Sequence, residues 1–228
     1  MVKFSAAIEA LRKESEHLYN NTYAIVAHAI GFSRKDIQSD KSFKEILENK
    51  KWFSKNVDLD YLYQTRIKVL FEAIIDFSTK AQVYVNDETK NHKIFNFKMA
   101  AKNLAETTKN LKIIQANIKK YSSSSNEFLA LEYNKIRSNL GELLRSIEEL
   151  RVEDREKLYL IIKNLQKGKE ILKEIDTLTL SNVEHLISVR KITTAEEISI
   201  LNDTTFATKI AEELISAVEV IFSKDISN

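Results

Sequence analysis

Residues 58–86 read Asp58-Leu-Asp-Tyr-Leu-Tyr-Gln-Thr-Arg-Ile-Lys-Val-Leu-Phe-Glu-Ala-Ile-Ile-Asp-Phe-Ser-Thr-Lys-Ala-Gln-Val-Tyr-Val-Asn86. The apolar positions Tyr63, Ile67, Leu70, Phe71, Ile74, Ile75 and Phe77 recur at intervals of three and four, the period of one helix face. Asp58 or Asp60 supplies an N-cap carboxylate, and the run should end near Tyr84–Asn86. It contains no glycine or proline, and the rest of the chain is similar. The 228 residues hold no proline and 3 glycines. Proline breaks helices and glycine weakens them, whereas sheet architectures need turns that draw on both. The expected fold class is therefore all-α, built from long helices.

Working outward, the N-terminal side predicts a helix from about Phe4 to Ile30, with Ile8, Leu11, Leu18, Ala24 or Ile25, and His28 or Ala29 at the helical period and Gly31 as the residue just past its end. His28 lies among Ile25, Val26, Ala29 and Ile30, and reads as a partly buried, hydrogen-bonded histidine. Ser42-Phe-Lys-Glu45 is a capping box opening a short helix to about Trp52. On the C-terminal side, Asn86 to Asn91 reads as a polar loop before a helix over about Ile94 to Tyr121, with Leu104, Leu111, Ile114 and Ile118 on one face. Ser122-Ser-Ser-Ser-Asn126 is the strongest interior punctuation, either a helix–helix turn or a linker. Beyond it, Glu127 to about Arg151 is helical with Leu131, Ile136, Leu140, Leu143, Leu144, Ile147 and Leu150 inward. Further helices are expected from Glu153 to about Ile175 and from Leu178 to Val189. Thr194-Ala-Glu-Glu197 reads as a second capping box, opening a last helix to about Phe222 with Ile200, Leu201, Ile210, Leu214 and Val218 inward.

The absence of cysteine excludes disulfides, thiolate metal sites and cysteine nucleophiles. No apolar run approaches the roughly 18 residues of a membrane span, and the charged N-terminus is no signal peptide. A net charge of +2, from 35 basic and 33 acidic residues, gives no electrostatic drive toward nucleic acid. No phosphate loop, nucleophile elbow, His-Glu-x-x-His or Walker motif is present, so the chain reads as non-enzymatic.

Two segments echo each other: Phe77-Ser-Thr-Lys-Ala81 and Phe206-Ala-Thr-Lys-Ile210. The second, continued through Ala211-Glu-Glu213, resembles the closing helix of a PhoU domain. There a stretch of the type His-Ala-Thr-Asn-Ile-Ala-Glu follows a Glu/Asp-x-x-x-Asp motif, and the first copy keeps that acidic pair as Glu72-Ala-Ile-Ile-Asp76. Glu14-Ser-Glu-His-Leu18, Ile25-Val-Ala-His-Ala-Ile-Gly31, Tyr63-Gln-Thr-Arg-Ile-Lys68, Asn117-Ile-Lys-Lys-Tyr121 and Glu132-Tyr-Asn134 are similar to the cytoplasmic PhoU-like region of the bacterial Na⁺/phosphate cotransporter family. The resemblance covers most of the chain. It implies a PhoU-like fold of two tandem three-helix bundles, at residues 1–122 and 123–228. It implies non-enzymatic control of phosphate transport or phosphate signalling, at the cytoplasmic face of the inner membrane. The expected partner is a membrane phosphate transporter or the chain's own transmembrane region, with a homo-oligomer as a further expectation. Some family members hold metal ions on the acidic motifs, which would make a divalent or ferric ion the expected ligand of Glu72 and Asp76. The second copy departs from the pattern: Leu201 and Thr205 occupy the acidic positions, Asp203 is out of register, and Phe77 and Phe206 stand where histidine is usual.

The residues also admit plainer readings. Glu72 and Asp76, four apart on one helix face, suit a hard cation with further oxygen ligands or a surface pair neutralised by Arg66, Lys68 or Lys80. Glu14 and His17 would make half a di-iron bundle site, but no second Glu-x-x-His pair accompanies them. Lys109, Lys112, Lys119 and Lys120 form a basic cluster for anionic lipid or phosphate, or a solvated helix face. A structural helical scaffold or oligomeric adaptor is the alternative function, and it would need a continuous heptad seam that the sequence lacks. A metal-dependent bundle enzyme would need a full set of inward ligands.

Overall fold

Among the described residues every regular element is helical. The computed structural model describes residues 2–49, 58–152, 184–186 and 191–222. The elements are α1 (Val2–Ala29), α2 (Arg34–Ile37), α3 (Phe43–Asn49), α4 (Leu59–Leu62), a π-helical turn (Tyr63–Ile67), α5 (Lys68–Val83), α6 (Glu88–Tyr121), α7 (Glu127–Val152) and α8 (Thr194–Phe222). The helices expected over Glu153 to Ile175, most of that over Leu178 to Val189, and the end of the short helix at Trp52 lie outside the described residues.

Local chemistry sets the ends. Gly31 takes φ 80°, and the Phe32 and Gly31 N–H groups donate to the Ala27 and His28 carbonyls at 2.9 and 3.0 Å. This is a Schellman end, which needs a residue tolerant of positive φ. The Ser42 box forms: the Ser42 N–H donates to Glu45 Oε2 at 2.9 Å and the Glu45 N–H to Ser42 Oγ at 3.3 Å. A further box joins Ser33 and Asp36. The box before α8 sits one residue earlier than Thr194-x-x-Glu197, between Thr193 and Glu196. The doubled Thr193-Thr194 and Glu196-Glu197 make both registers legible, and packing of the helix chooses one. Asn86 to Asn91 is not a loop throughout. Asp87 accepts from the Lys90 N–H at 3.0 Å and starts α6 at Glu88. The serine run is a tight turn, with Asn126 Oδ1 capping the Phe128 and Leu129 N–H groups.

The chain forms two compact units. The first comprises Met1–Ile25, Asp58–Lys109 and Glu213–Asn228; the second comprises Val26–Val57 and Asn110–Glu212 and includes the serine turn. In the first, Leu11, Leu18, Ile67, Ile74, Ile94, Leu104, Leu214 and Val218 are buried among small Ala100, Ala101, Ala105 and Ala217. Alanines let helices approach closely, and each large aliphatic side chain withdrawn from water contributes roughly 1.5–3 kcal/mol. Leu59 and Ile67 are both buried, eight residues apart and on one side of the helix, with the π-helical turn between them. Phe77, expected inward, is 41% exposed, because Ile74 and Ser78 hold the centre of the buried face.

In the second unit α2 and α3 pack on α7. The buried stripe of α7 is Leu129, Tyr133, Ile136, Leu140, Leu144 and Ile147. Leu131, expected inward, is 54% exposed, because two residues from Leu129 it points to the opposite side of the helix. Gly141 lies on the buried side. Its bare Cα receives the Phe43 ring, and a Cβ there would lie 2.5 Å from Cε1 and 2.8 Å from Cζ. Phe43 also meets Phe32 edge-on at 4.8 Å and carries the Arg145 guanidinium 4.2 Å above its ring. Arg145 donates to the carbonyls of Ile37, Asp36 and Lys41 at 2.8, 3.2 and 2.9 Å.

Gly141→Ala should therefore destabilise the protein by about 1–3 kcal/mol, although alanine is the better helix former by about 1 kcal/mol. Urea unfolding checks the sign. A stabilised variant would show that the Phe43 ring does not depend on the missing methyl.

Candidate functional site

The acidic pair sits on α5. Glu72 and Asp76 both face solvent, and each meets a lysine of its own helix: Lys68 at 3.8 Å from Glu72 and Lys80 at 2.6 Å from Asp76. Exposed pairs at this spacing contribute about 0–1 kcal/mol and exchange readily with other charges. Among the described residues no group of three or more His, Cys, Asp or Glu side chains gathers as a metal site. Glu14 and His17 are exposed and 4.0 Å apart. His28 is exposed rather than partly buried, because the buried positions Ile25, Val26, Ala29 and Ile30 flank it on the other sides of the helix.

The lysines of α6 do not share one environment. Lys109 donates to Glu106 at 2.9 Å and stands 5.7 Å over the Tyr63 ring. The hydrogen bond to Glu106 holds its ammonium above the usual range. Lys120 donates to the Tyr121 hydroxyl at 3.0 Å. In the echoed segments, Ser78 and Ala207 are both buried, and Lys80 and Lys209 both exposed. The other three positions differ: Phe77 and Thr79 are exposed where Phe206 and Thr208 are half-buried, and Ala81 is half-buried where Ile210 is buried. At the acidic positions of the second copy, Leu201 is half-buried and Thr205 donates to the Leu201 carbonyl.

Asp203, out of register with the acidic motif, is the buried carboxylate of α8. It accepts from the Tyr133 hydroxyl at 2.7 Å, and the Asn117 side chain hydrogen-bonds the same carboxylate. Burial pushes the Asp203 carboxyl above its ordinary value, and these two hydrogen bonds pull it part of the way back. Burial, then the carboxylate, drives the Tyr133 phenol far above its usual range. The periodicity carried this signal: Asp203 falls three residues after Ile200 and four before Ala207, and Tyr133 falls four after Leu129 and three before Ile136. Both lie at core spacing. One turn beyond Tyr133, Arg137 is buried under the end of α1. Its Nε donates to the Ile30 carbonyl at 2.8 Å and Nη1 to Asn134 at 2.7 Å, and burial lowers its pKa to about 10.

Tyr133 and Arg137 thus tie α7 to α8 and to the chain just past α1. No helix among the described residues is long and apolar enough to cross a membrane. Comparison with protein-family models, with curated proteins and with solved structures finds no match.

Asp203 carries a pH dependence with a defined sign. Between the ordinary aspartate value of 3.8 and the raised folded value, the folded chain keeps a proton that the unfolded chain has lost. The contribution of this group is therefore smallest at neutral pH and grows as pH falls through the folded value. Wild type should gain stability relative to Asp203→Asn between pH 7 and about pH 4.5, measured by urea unfolding. A constant difference would show that the carboxyl titrates normally. Tyr133→Phe should cost about 1–2 kcal/mol at neutral pH.

Proposed function

We propose that the chain is a non-enzymatic helical regulatory module that docks on the cytoplasmic side of a membrane phosphate transporter. The function is the one implied by its resemblance to the PhoU-like region of the Na⁺/phosphate cotransporter family. The observation that carries the docking step is the outer face of α5. Val69, Glu72, Asp76 and Val83 stand exposed there at intervals of three, four and seven. Apolar and acidic groups on one exposed helix face suit cytoplasmic transporter loops, which are enriched in Lys and Arg. The intrahelical pairs with Lys68 and Lys80 are weak enough to yield to such a partner. Two tandem PhoU-like bundles belong to the same reading. So does an ion on Glu72 and Asp76, which would need oxygen ligands from a second element. Phosphate or metal would regulate the docking only by binding the free and docked states with different affinity.

The test is binding of the full chain to a Na⁺/phosphate cotransporter membrane region held in lipid nanodiscs. Saturable binding is expected, weakened about tenfold or more by the double variant Val69→Lys, Asp76→Lys. Absence of binding would remove the mechanism, and unchanged affinity of the double variant would remove this helix face from it.

A further inference from the structure

A cavity of about 670 Å³ opens in the first unit. Three helical segments supply its walls at helical spacing: Phe4 and Ala7 from α1, Phe77, Lys80, Ala81 and Tyr84 from α5 and the residue after it, and Lys90 and Ile94 from α6. The space exists because Ala7 and Ala81 are short, so their helices leave a gap that a longer side chain would fill. Its volume lies within the range of small-molecule sites, which are mostly apolar with a few placed polar groups.

The polar groups are unevenly charged. Among the described residues that line the cavity, Lys80, Lys90 and Asp87 are the charged ones. The Asp87 carboxylate is already engaged, accepting from the Lys90 N–H at 3.0 Å through Oδ1 and from Lys90 Nζ at 3.3 Å through Oδ2. Those hydrogen bonds hold it below the usual carboxylate range. Each lysine ammonium has three donors, and Asp76 takes one from Lys80. The Lys90 ammonium also stands 5.7 Å over the Phe4 ring, a cation held against the apolar wall. Tyr84 is 86% exposed, an amphipathic ring left at the edge of the opening without a covering helix.

From an apolar floor and two rim ammonium groups, each with donors beyond its one ion pair, we infer that this cavity binds an amphiphilic carboxylate of the fatty-acid class. The alkyl chain lies between Phe4, Phe77, Ala81 and Ile94, and the carboxylate accepts from Lys80 and Lys90. A cationic amphiphile with the same tail would meet the lysines as like charges, and a small inorganic anion would leave the apolar walls uncovered. The inference does not rest on the regulatory reading, because it concerns a cavity within one unit and needs no transporter.

The probe is decanoate below its micellar concentration, titrated calorimetrically into the full chain, with decyltrimethylammonium as the cation of equal tail length. Decanoate should saturate one site and bind at least about tenfold more tightly than the cation. Lys80→Gln combined with Lys90→Gln should weaken decanoate about tenfold and leave the cation unweakened. Ala81→Trp should abolish binding of both while circular dichroism stays unchanged. Amide chemical-shift changes in the unaltered protein should centre on Phe4, Ala7 and residues 77–94, a readout that does not depend on any variant folding. No saturable binding, equal affinity for the cation, unchanged affinity in the lysine variant, or shifts centred elsewhere would each overturn the assignment.

Discussion

One stripe of α7 organises the second unit. Tyr133, Arg137, Gly141, Arg145 and Glu148 follow one another at spacings of four, four, four and three, and each holds a different piece of chain. Tyr133 reaches Asp203 of α8. Arg137 reaches the Ile30 carbonyl, Gly141 admits the Phe43 ring, and Arg145 gathers three carbonyls around α2. Glu148 accepts from Arg34 at 3.0 Å and Gln38 at 3.3 Å. The physical constraint is that a buried polar group left without a partner costs about 1–3 kcal/mol. Satisfying Arg137, Arg145 and Glu148, with the Phe43 ring seated on Gly141, therefore fixes the register of the segment from Ile30 to Phe43 against one helix.

Apolar packing and polar satisfaction contribute differently. Leucine and isoleucine burial drives helices together without specifying which turn meets which. The α7 stripe supplies that specification, since a guanidinium bridging three carbonyls has one geometry. Arg137 shows the competition directly. Burial opposes its charge, and the carbonyl at the α1 end compensates, both as a hydrogen-bond acceptor and as the negative end of a helix.

The first unit packs its helices on small side chains, among them Ala100, Ala101, Ala105 and Ala217. These alanines allow close approach, and two others, Ala7 and Ala81, line the open cavity. The π-helical turn leads into α5, where Val69, Glu72 and Asp76 stand on the outside. The candidate surfaces of the unit, the outer α5 face and the cavity beside it, thus follow from residues the core did not take up.

Sequence alone determined the all-helical class, because the absence of proline and the rarity of glycine act residue by residue. It also located the Gly31 end and the Ser42–Glu45 box, whose chemistry lies within a few residues. Only tertiary structure decided the outcome where neighbours in space compete. Leu131 and Phe77 were legible as apolar but not as exposed, since the centre of a helix face is set by what packs on it. The choice of Thr193 over Thr194 as cap is of the same kind. Gly141 and the Tyr133–Asp203 pair required knowing which helices meet. The cavity depended on where two alanines came to lie, and contacts between residues distant in the chain have no local signature for the sequence to display.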